Sequence, residues 1–298
     1  MPRLLPALFM VVALAGCGTA QAAVRPAASA IDTIWSTGVL AVVRPLAERR
    51  LDAVERQGPV ADHALLPLGL EALGRADADP RLAAVAVQAW VTPGPQPLPD
   101  LDDLCAGPDC SAIDLLQRPE LWARPDAGAP GRAGVEDLEP SFRRMAAVLF
   151  DRQALLFHTD RGAIGDTHFD AALNATAFAA LTRMIDALPD EAPARLEYVA
   201  LYREMARTIT RTQGGDGWWR RTLGDEGAAI EPSASALLVF GLTWGLNTGM
   251  LSFNEGEAAA LTGWDALRTP AGLEALQAGD AGLGALFLAS AQMAERRW

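Results

Sequence analysis

The stretch Gly214–Leu251, GGDGWWRRTLGDEGAAIEPSASALLVFGLTWGLNTGML, decides how the chain is built. A glycine-rich turn delivers Trp218 and Trp219, a short extended piece follows, and the corner Glu231-Pro232-Ser233 opens an apolar run. Ser233 or Ser235 is expected to cap a helix there by accepting the free N–H groups of its first turn. From Ala234 to Leu246 every residue except Ser235 and Thr243 is small or apolar. A helix greasy on all sides has to be buried all round, so this one belongs at the centre of the fold. Ala234, Ala236, Gly241 and Gly245 allow neighbouring helices to come close. The corner therefore sets a carboxylate, a hydroxyl and indole rings at one end of a buried rod, where a pocket can form.

Working outward, helical spacing recurs along the chain. It predicts helices over Ile34–Val54, from Asp62 as a cap to about Gly74, and from Pro80 to about Val91. Thr92–Pro99 carries too many prolines for a helix or a central strand, and the chain stays rich in Pro, Gly and Asp to about Gly134. So long a loop in a compact domain is usually functional, here as a lid or rim. Helices are then expected over Glu139–Phe150, Ala171–Leu188 and Ala194–Thr212, from Asn254 as a cap to Leu267, over Pro270–Gln277, and from Asp280 to Arg297. No βαβ alternation and no series of hairpins is visible, so the expected class is all-α, with helical hairpins stacked in succession.

The chain has 298 residues, half of them hydrophobic, enough for one large domain or two small ones. Aromatics are only 6%, which with the abundance of alanine favours close helix packing over a β-sandwich. All basic residues are arginine. The absence of lysine excludes a Walker-type phosphate lysine, a pyridoxal Schiff base and a lysine nucleophile. A formal net charge of -12 argues against nucleic acid as a partner, which needs a basic footprint.

At the amino end, Met1–Arg3 is a short positive region, Leu4–Leu14 an apolar one, and Leu14-Ala15-Gly16-Cys17 follows, the pattern of a secretory signal. Its ending resembles the lipobox of bacterial lipoproteins. That resemblance implies cleavage after residue 16, lipidation of Cys17 and, with Gly18 following, a periplasmic protein held to the outer membrane by its lipid. Cleavage near Ala20–Ala23 by ordinary signal peptidase is the alternative. Residues 17–30 then form a tether and 31–298 one helical domain. Cys105 and Cys110 are spaced to close a small loop as a disulfide in an oxidising compartment. No second cysteine pair or nearby histidine supports a metal there, and no cofactor is called for.

The carboxyl-terminal third resembles glycoside hydrolase families 88 and 105, the unsaturated glucuronyl and rhamnogalacturonyl hydrolases. The likeness runs from about Ala171 to Leu267 and is carried mainly by Asp216-Gly217-Trp218-Trp219-Arg220 and Glu231-Pro232-Ser233-Ala234-Ser235-Ala236. It implies an (α/α)6 toroid of inner and outer helices, shortened here, and an acidic oligosaccharide as substrate. The family's Arg-Gly-Asn-Gly-Trp motif has become Ala172-Leu173-Asn174-Ala175-Thr176, so only Asn174 survives. The family's catalytic Asp has its nearest counterpart in Val135–Phe142, at Asp137, without the aromatic-Met signature. In these families a carboxyl protonates the double bond of a 4,5-unsaturated uronide and water adds at the adjacent carbon.

The segment Phe157–Asp170 gathers His158, Asp160, Asp166, His168 and Asp170 around a turn with Gly162 and Gly165. Acid–base work on a sugar wants one protonated carboxyl and a second group to orient water, so Asp137, Asp160, Asp170 and His158 are the candidate catalytic residues. The same side chains also suit plain capping of the helix after Asp170, and His and Asp in this number can ligate a divalent ion, although at no known spacing. Arg161 suits a uronate carboxylate, with Arg143 and Arg144 adding to a local basic patch. Trp219 is the candidate stacking platform, with Glu231 and Asn174 as further substrate contacts; sealing a helix end against the core is the alternative for the indoles. His63 reads as a cap or core residue. A non-catalytic toroid that binds a glycan or an envelope protein fits the lost Arg and Trp.

Overall fold

The computed structural model describes residues 29–57, 65–89, 105, 110–116, 119–122 and 138–296. The helices are α1 (Ala30–Gln57), α2 (Leu65–Ala76), α3 (Pro80–Ala89), the short α4 (Ala112–Leu116) and α5 (Pro119–Trp122), and α6 (Glu139–Leu149). They continue as α7 (Ala171–Ala187), α8 (Pro193–Arg211), α9 (Pro232–Thr248), α10 (Phe253–Leu267), α11 (Pro270–Leu276) and α12 (Asp280–Ala294). Pro80 does open α3, and Pro193, Pro232 and Pro270 open α8, α9 and α11, where a missing N–H costs nothing.

Burial sorts the helices into two layers. Along α7, α9 and α12 most side chains are buried, whereas α8 buries only the stripe Tyr198, Tyr202, Met205, Ala206, Thr208 and Ile209. The first three are inner helices and α8 is outer, in line with their patterns of apolar residues. Inner neighbours run parallel. Thr243 and Asn247, late in α9, bond Met293 and Gln292, late in α12, and Trp244 reaches Asp186 at the end of α7. The outer α1 runs the other way, its Trp35 indole donating to the Met293 carbonyl and its Arg50 gripping Asp280. The first and last long helices among the described residues therefore pack together, and α12 is flanked by α9 and α2.

Small residues set the spacing. A Cβ on Gly241 of α9 would lie 2.5 Å from the Phe178 ring of α7, and one on Gly245 would overlap the Tyr202 hydroxyl, which itself donates to the Gly241 carbonyl at 2.7 Å. Tyr202 also stacks on Phe178 with ring centroids 4.6 Å apart. Where α2 crosses α12, Gly69 and Gly284 bring backbone against backbone, and a Cβ on Gly284 would overlap the Leu65 carbonyl. Gly284→Ala should therefore cost about 1–3 kcal/mol through forced helix separation. Chemical denaturation reads this as a lowered midpoint, and an unchanged midpoint would show that the two helices part freely.

Three details differ from the sequence reading. The cap position of α9 is Glu231, and neither serine caps it. Ser235 lies one turn inside, where its hydroxyl donates to the Glu231 carbonyl at 2.9 Å and accepts the Trp219 N–H at 3.1 Å. For α10 the cap is Ser252, whose box with Glu255 displaces the expected Asn254. A two-residue hairpin, β1 (Phe150–Asp151) paired with β2 (Leu156–Phe157), ends α6 and turns the chain toward α7; its strands are too short to show a period of two. No helix among the described residues is long and apolar enough to cross a membrane.

Candidate functional site

The start of α7 and the start of α9 lie side by side, woven together by the extended segment Trp219–Leu223. Glu231 N–H donates to the Trp219 carbonyl at 2.9 Å and Arg221 N–H to the Ala229 carbonyl at 2.8 Å. On the other edge, Ala171 N–H donates to the Arg221 carbonyl at 2.8 Å and Leu223 N–H to the Phe169 carbonyl at 2.9 Å. Because the inner helices run parallel, this is the end where both present their free N–H groups and a partial positive charge. The loop from Leu156 to Asp170 leads into the same end.

The side chains at this mouth divide by what already occupies them. Asp170 caps α7, accepting the Leu173 N–H at 2.7 Å. Asp160 caps a single 3-10 turn, accepting the N–H groups of Gly162 at 2.7 Å and Ala163 at 3.1 Å. Glu231, by contrast, makes no capping bond. Its carboxylate is three-quarters buried and faces the exposed Arg221 guanidinium across 3.6 Å, too long for a strong hydrogen bond. Glu231 and Arg221 are thus charged groups that a ligand can recruit here without breaking a structural bond.

Asn174 and Trp219 require correction. Asn174 is wholly buried, accepting the Phe157 N–H at 2.8 Å and donating to the carbonyls of Phe157 at 3.0 Å and Asp170 at 2.9 Å. Its amide is spent on tying the hairpin to α7 and offers nothing to a substrate. Trp219 is also wholly buried, its indole N–H donating to the Ile209 carbonyl at 2.8 Å. No sugar ring can lie on it. In an extended chain neighbours point to opposite sides, so Trp218 is the half-buried indole of the pair.

His158 is buried against the Phe169 ring, centroids 5.0 Å apart, with Nε2 3.4 Å from Asp151. Its Nδ1 has no hydrogen-bond partner. The Ala154 and Gln153 amides, helped by His158, hold the Asp151 carboxyl below the usual range. His158 therefore braces the hairpin and does not open on the mouth. Arg161, Asp166 and His168 are exposed on the loop. Arg143 and Arg144 do not join them: Arg143 is paired with Glu139 at 2.7 Å and lines a groove between α6 and α8, while Arg144 donates to Ser141 at 3.0 Å. That groove, floored by Ala146, Ala147, Phe150 and Leu201, lies on the outer side of the helical layers. Among the described residues no group of three or more His, Cys, Asp or Glu converges to hold a metal ion. Cys105 and Cys110 are joined by a disulfide. Asp137, Cys17 and His63 lie outside the described residues.

Arg221 was missed in the sequence. The signal was present in the Arg220-Arg221 pair on an extended piece, where alternation sends one back to Asp216 at 2.9 Å and leaves the other for Glu231.

Comparison with known proteins bears on this arrangement. Residues 135–278 match the family model described as Glycosyl Hydrolase Family 88. An unsaturated 3S-rhamnoglycuronyl hydrolase of Alteromonas sp. is 28% identical over 166 residues, 53% of this chain and 40% of the relative. A protein of the same name from Formosa agariphila is 36% identical over 92 residues, 29% of this chain and 24% of the relative. The chain thus spans less than half the length of either curated relative. Among solved structures, a glycosyl hydrolase family 88 protein from Bacteroides vulgatus superposes with a TM-score of 0.55 at 18% identity, covering 90% of this chain and 92% of that one. At that identity the likeness speaks for the fold, a ring of paired helices. Residues 135–278 are thus similar to glycosyl hydrolase family 88, and the chain has the fold of an α/α toroid.

Proposed function

We propose that this protein acts on unsaturated uronyl oligosaccharides, taken in at the end of the ring where α7 and α9 begin. The observation that carries the reading is the Glu231–Arg221 pair, uncommitted to backbone and lying inside the region that matches the hydrolase family. Arg221 exchanges its loose contact with Glu231 for a two-point grip on the uronate carboxylate. Glu231, relieved of its cation, then protonates the sugar's double bond or takes a proton from the water that adds to the adjacent carbon. Asp137, the counterpart of the family's catalytic Asp, is the second carboxyl. Asp160 and Arg161 form the rim, and Trp218 takes the stacking role first given to Trp219. The Leu14–Cys17 lipobox pattern supports a lipid-anchored protein of the periplasm, attached to the outer membrane.

The wholly buried Asn174 and Trp219 and the capped Asp160 and Asp170 favour a second reading, a toroid that binds acidic glycans without turning them over. Arg221→Ala separates the two. Losing one charge-assisted grip should raise KM about ten- to a hundredfold with kcat little changed, since such a contact is worth about 1.5–3 kcal/mol. A binder shows the same loss in calorimetric titration with no turnover at all. Unchanged KM and unchanged affinity would remove Arg221 from the site.

A further inference from the structure

We propose that the end of the ring opposite the mouth is a docking face for a zwitterionic lipid bilayer, so that the anchored protein stands on the membrane with its mouth facing away. The outer helix α1 starts at this end, because it runs against α12. An outer helix ordinarily turns charge to the solvent. From Arg44 onward α1 does so, with Arg44, Glu48, Arg49, Asp52, Glu55 and Arg56 exposed. Over Ala30–Leu40 it does not: the exposed residues there are Ala30, Ile31, Thr33, Ile34, Thr37 and Gly38. Ile31 is 66% exposed and Ile34 74%. The one charged residue of this stretch, Asp32, is buried, its carboxylate accepting the Ser29 N–H at 2.8 Å. A further apolar side chain lies at the same end. Trp35 donates to the Met293 carbonyl, and three positions after Met293 the Arg296 guanidinium lies over the Phe253 ring, 4.7 Å from its centroid. Phe253, at the start of α10, is 57% exposed, and the charge of Arg296 is met by Glu257 at 3.0 Å.

Single exposed apolar residues are ordinary on a protein surface. What gives this group an occupant is the chain that leads to it. Lipidated Cys17, part of the function proposed above and the ground on which the docking face rests, lies thirteen residues before Ala30. That is a span of at most about 45 Å even when fully extended. The first turn of α1 is therefore the part of the ring held nearest the lipid. Docking becomes an intramolecular step, and side chains too few to bind a membrane from solution suffice once they are held beside it. Charge selects the kind of lipid. The protein has a net charge of -12, and Glu255 and Glu295 are exposed at this end, so an anionic surface repels it and a zwitterionic one does not. With α9 17 residues long, the mouth stands roughly 25 Å above the docked face, open to saccharides in the periplasm.

The full lipidated protein, reconstituted on vesicles of phosphatidylcholine and phosphatidylethanolamine that carry a nitroxide headgroup lipid, tests this. A fluorophore is attached at Asn254→Cys, beside Phe253 and far in sequence from the tether, or at Glu226→Cys, in the turn at the mouth. Both positions are exposed. With Cys17 lipidated and Cys105 joined to Cys110, the new cysteine is the one free thiol. Flotation with the vesicles reports the anchor, and quenching by the nitroxide reports docking. Quenching is expected at the Asn254 site and not at the Glu226 site, and it should survive about 1 M salt because the contact is apolar. Adding Ile34→Glu and Phe253→Glu should lower it to the level of the Glu226 site. Flotation and thermal midpoint should both hold, since the two side chains are mostly exposed. Protein that floats without quenching at either site overturns the docking face and leaves the anchor standing. Quenching at the Glu226 site alone overturns the orientation. Dimers cross-linked through this face, again without quenching, would give it to a second copy and overturn the proposal. Protein that does not float overturns the anchor and, with it, the docking face.

Discussion

Trp219→Ala is expected to destabilise the protein by about 3–5 kcal/mol, the usual cost of emptying a buried aromatic site. Its ring has no exposed surface, its N–H is tied to the Ile209 carbonyl, and Gly263 of α10 is spared a side chain that would sit 3.0 Å from it. Removing the indole leaves a cavity at the junction of α8, α9 and α10 and takes one hydrogen bond from the Ile209 carbonyl. Urea unfolding followed by circular dichroism measures the loss. Trp218→Ala, by contrast, should change stability little and weaken saccharide binding. Were Trp219→Ala to keep its midpoint and lose only binding, the ring would have to face a ligand, and the inner position given to it here would be wrong.

Glu231→Gln is expected to lower turnover of an unsaturated uronide by about 10²–10⁴-fold, the range in which a positioned acid or base contributes. The fold should tolerate the change. The side chain caps nothing, and the backbone N–H and carbonyl that anchor the corner to Trp219 and Ser235 are the same in glutamine. A thermal midpoint within a degree or so of wild type, with kcat collapsed and KM similar, is the expected pattern. Equal losses in kcat and stability would make Glu231 a structural residue of the corner.

Much of the ring was readable from residue type and spacing. The greasy run after Glu231 had to be an inner helix, and Gly241 and Gly245 had to be contact points, because no other placement buries all sides of one rod. The amphipathic stripe through Tyr198, Tyr202 and Ile209 had to be an outer helix. Individual site residues were harder. Asn174 keeps a family position but its amide is consumed by Phe157 and Asp170, a contact across a hairpin too short to leave a periodic signal. Asp160 and Asp170 look alike in sequence whether they cap or catalyse, since a carboxylate before a helix does both equally well. Trp218 and Trp219 are adjacent and chemically identical; only the register of the extended piece decides which faces inward. The Glu231–Arg221 pairing spans ten positions and depends on the bridge between Arg220 and Ile230, which no local pattern announces.

The central claim, that the helix starts of α7 and α9 form the mouth of a uronide hydrolase, is tested most directly by following the ultraviolet absorbance of a 4,5-unsaturated uronyl disaccharide incubated with the wild-type protein. Addition of water across the double bond destroys the chromophore, so absorbance should decay to baseline at a rate proportional to protein. No decay above the protein-free rate with any unsaturated uronide, from a sample whose folding is verified, would contradict it.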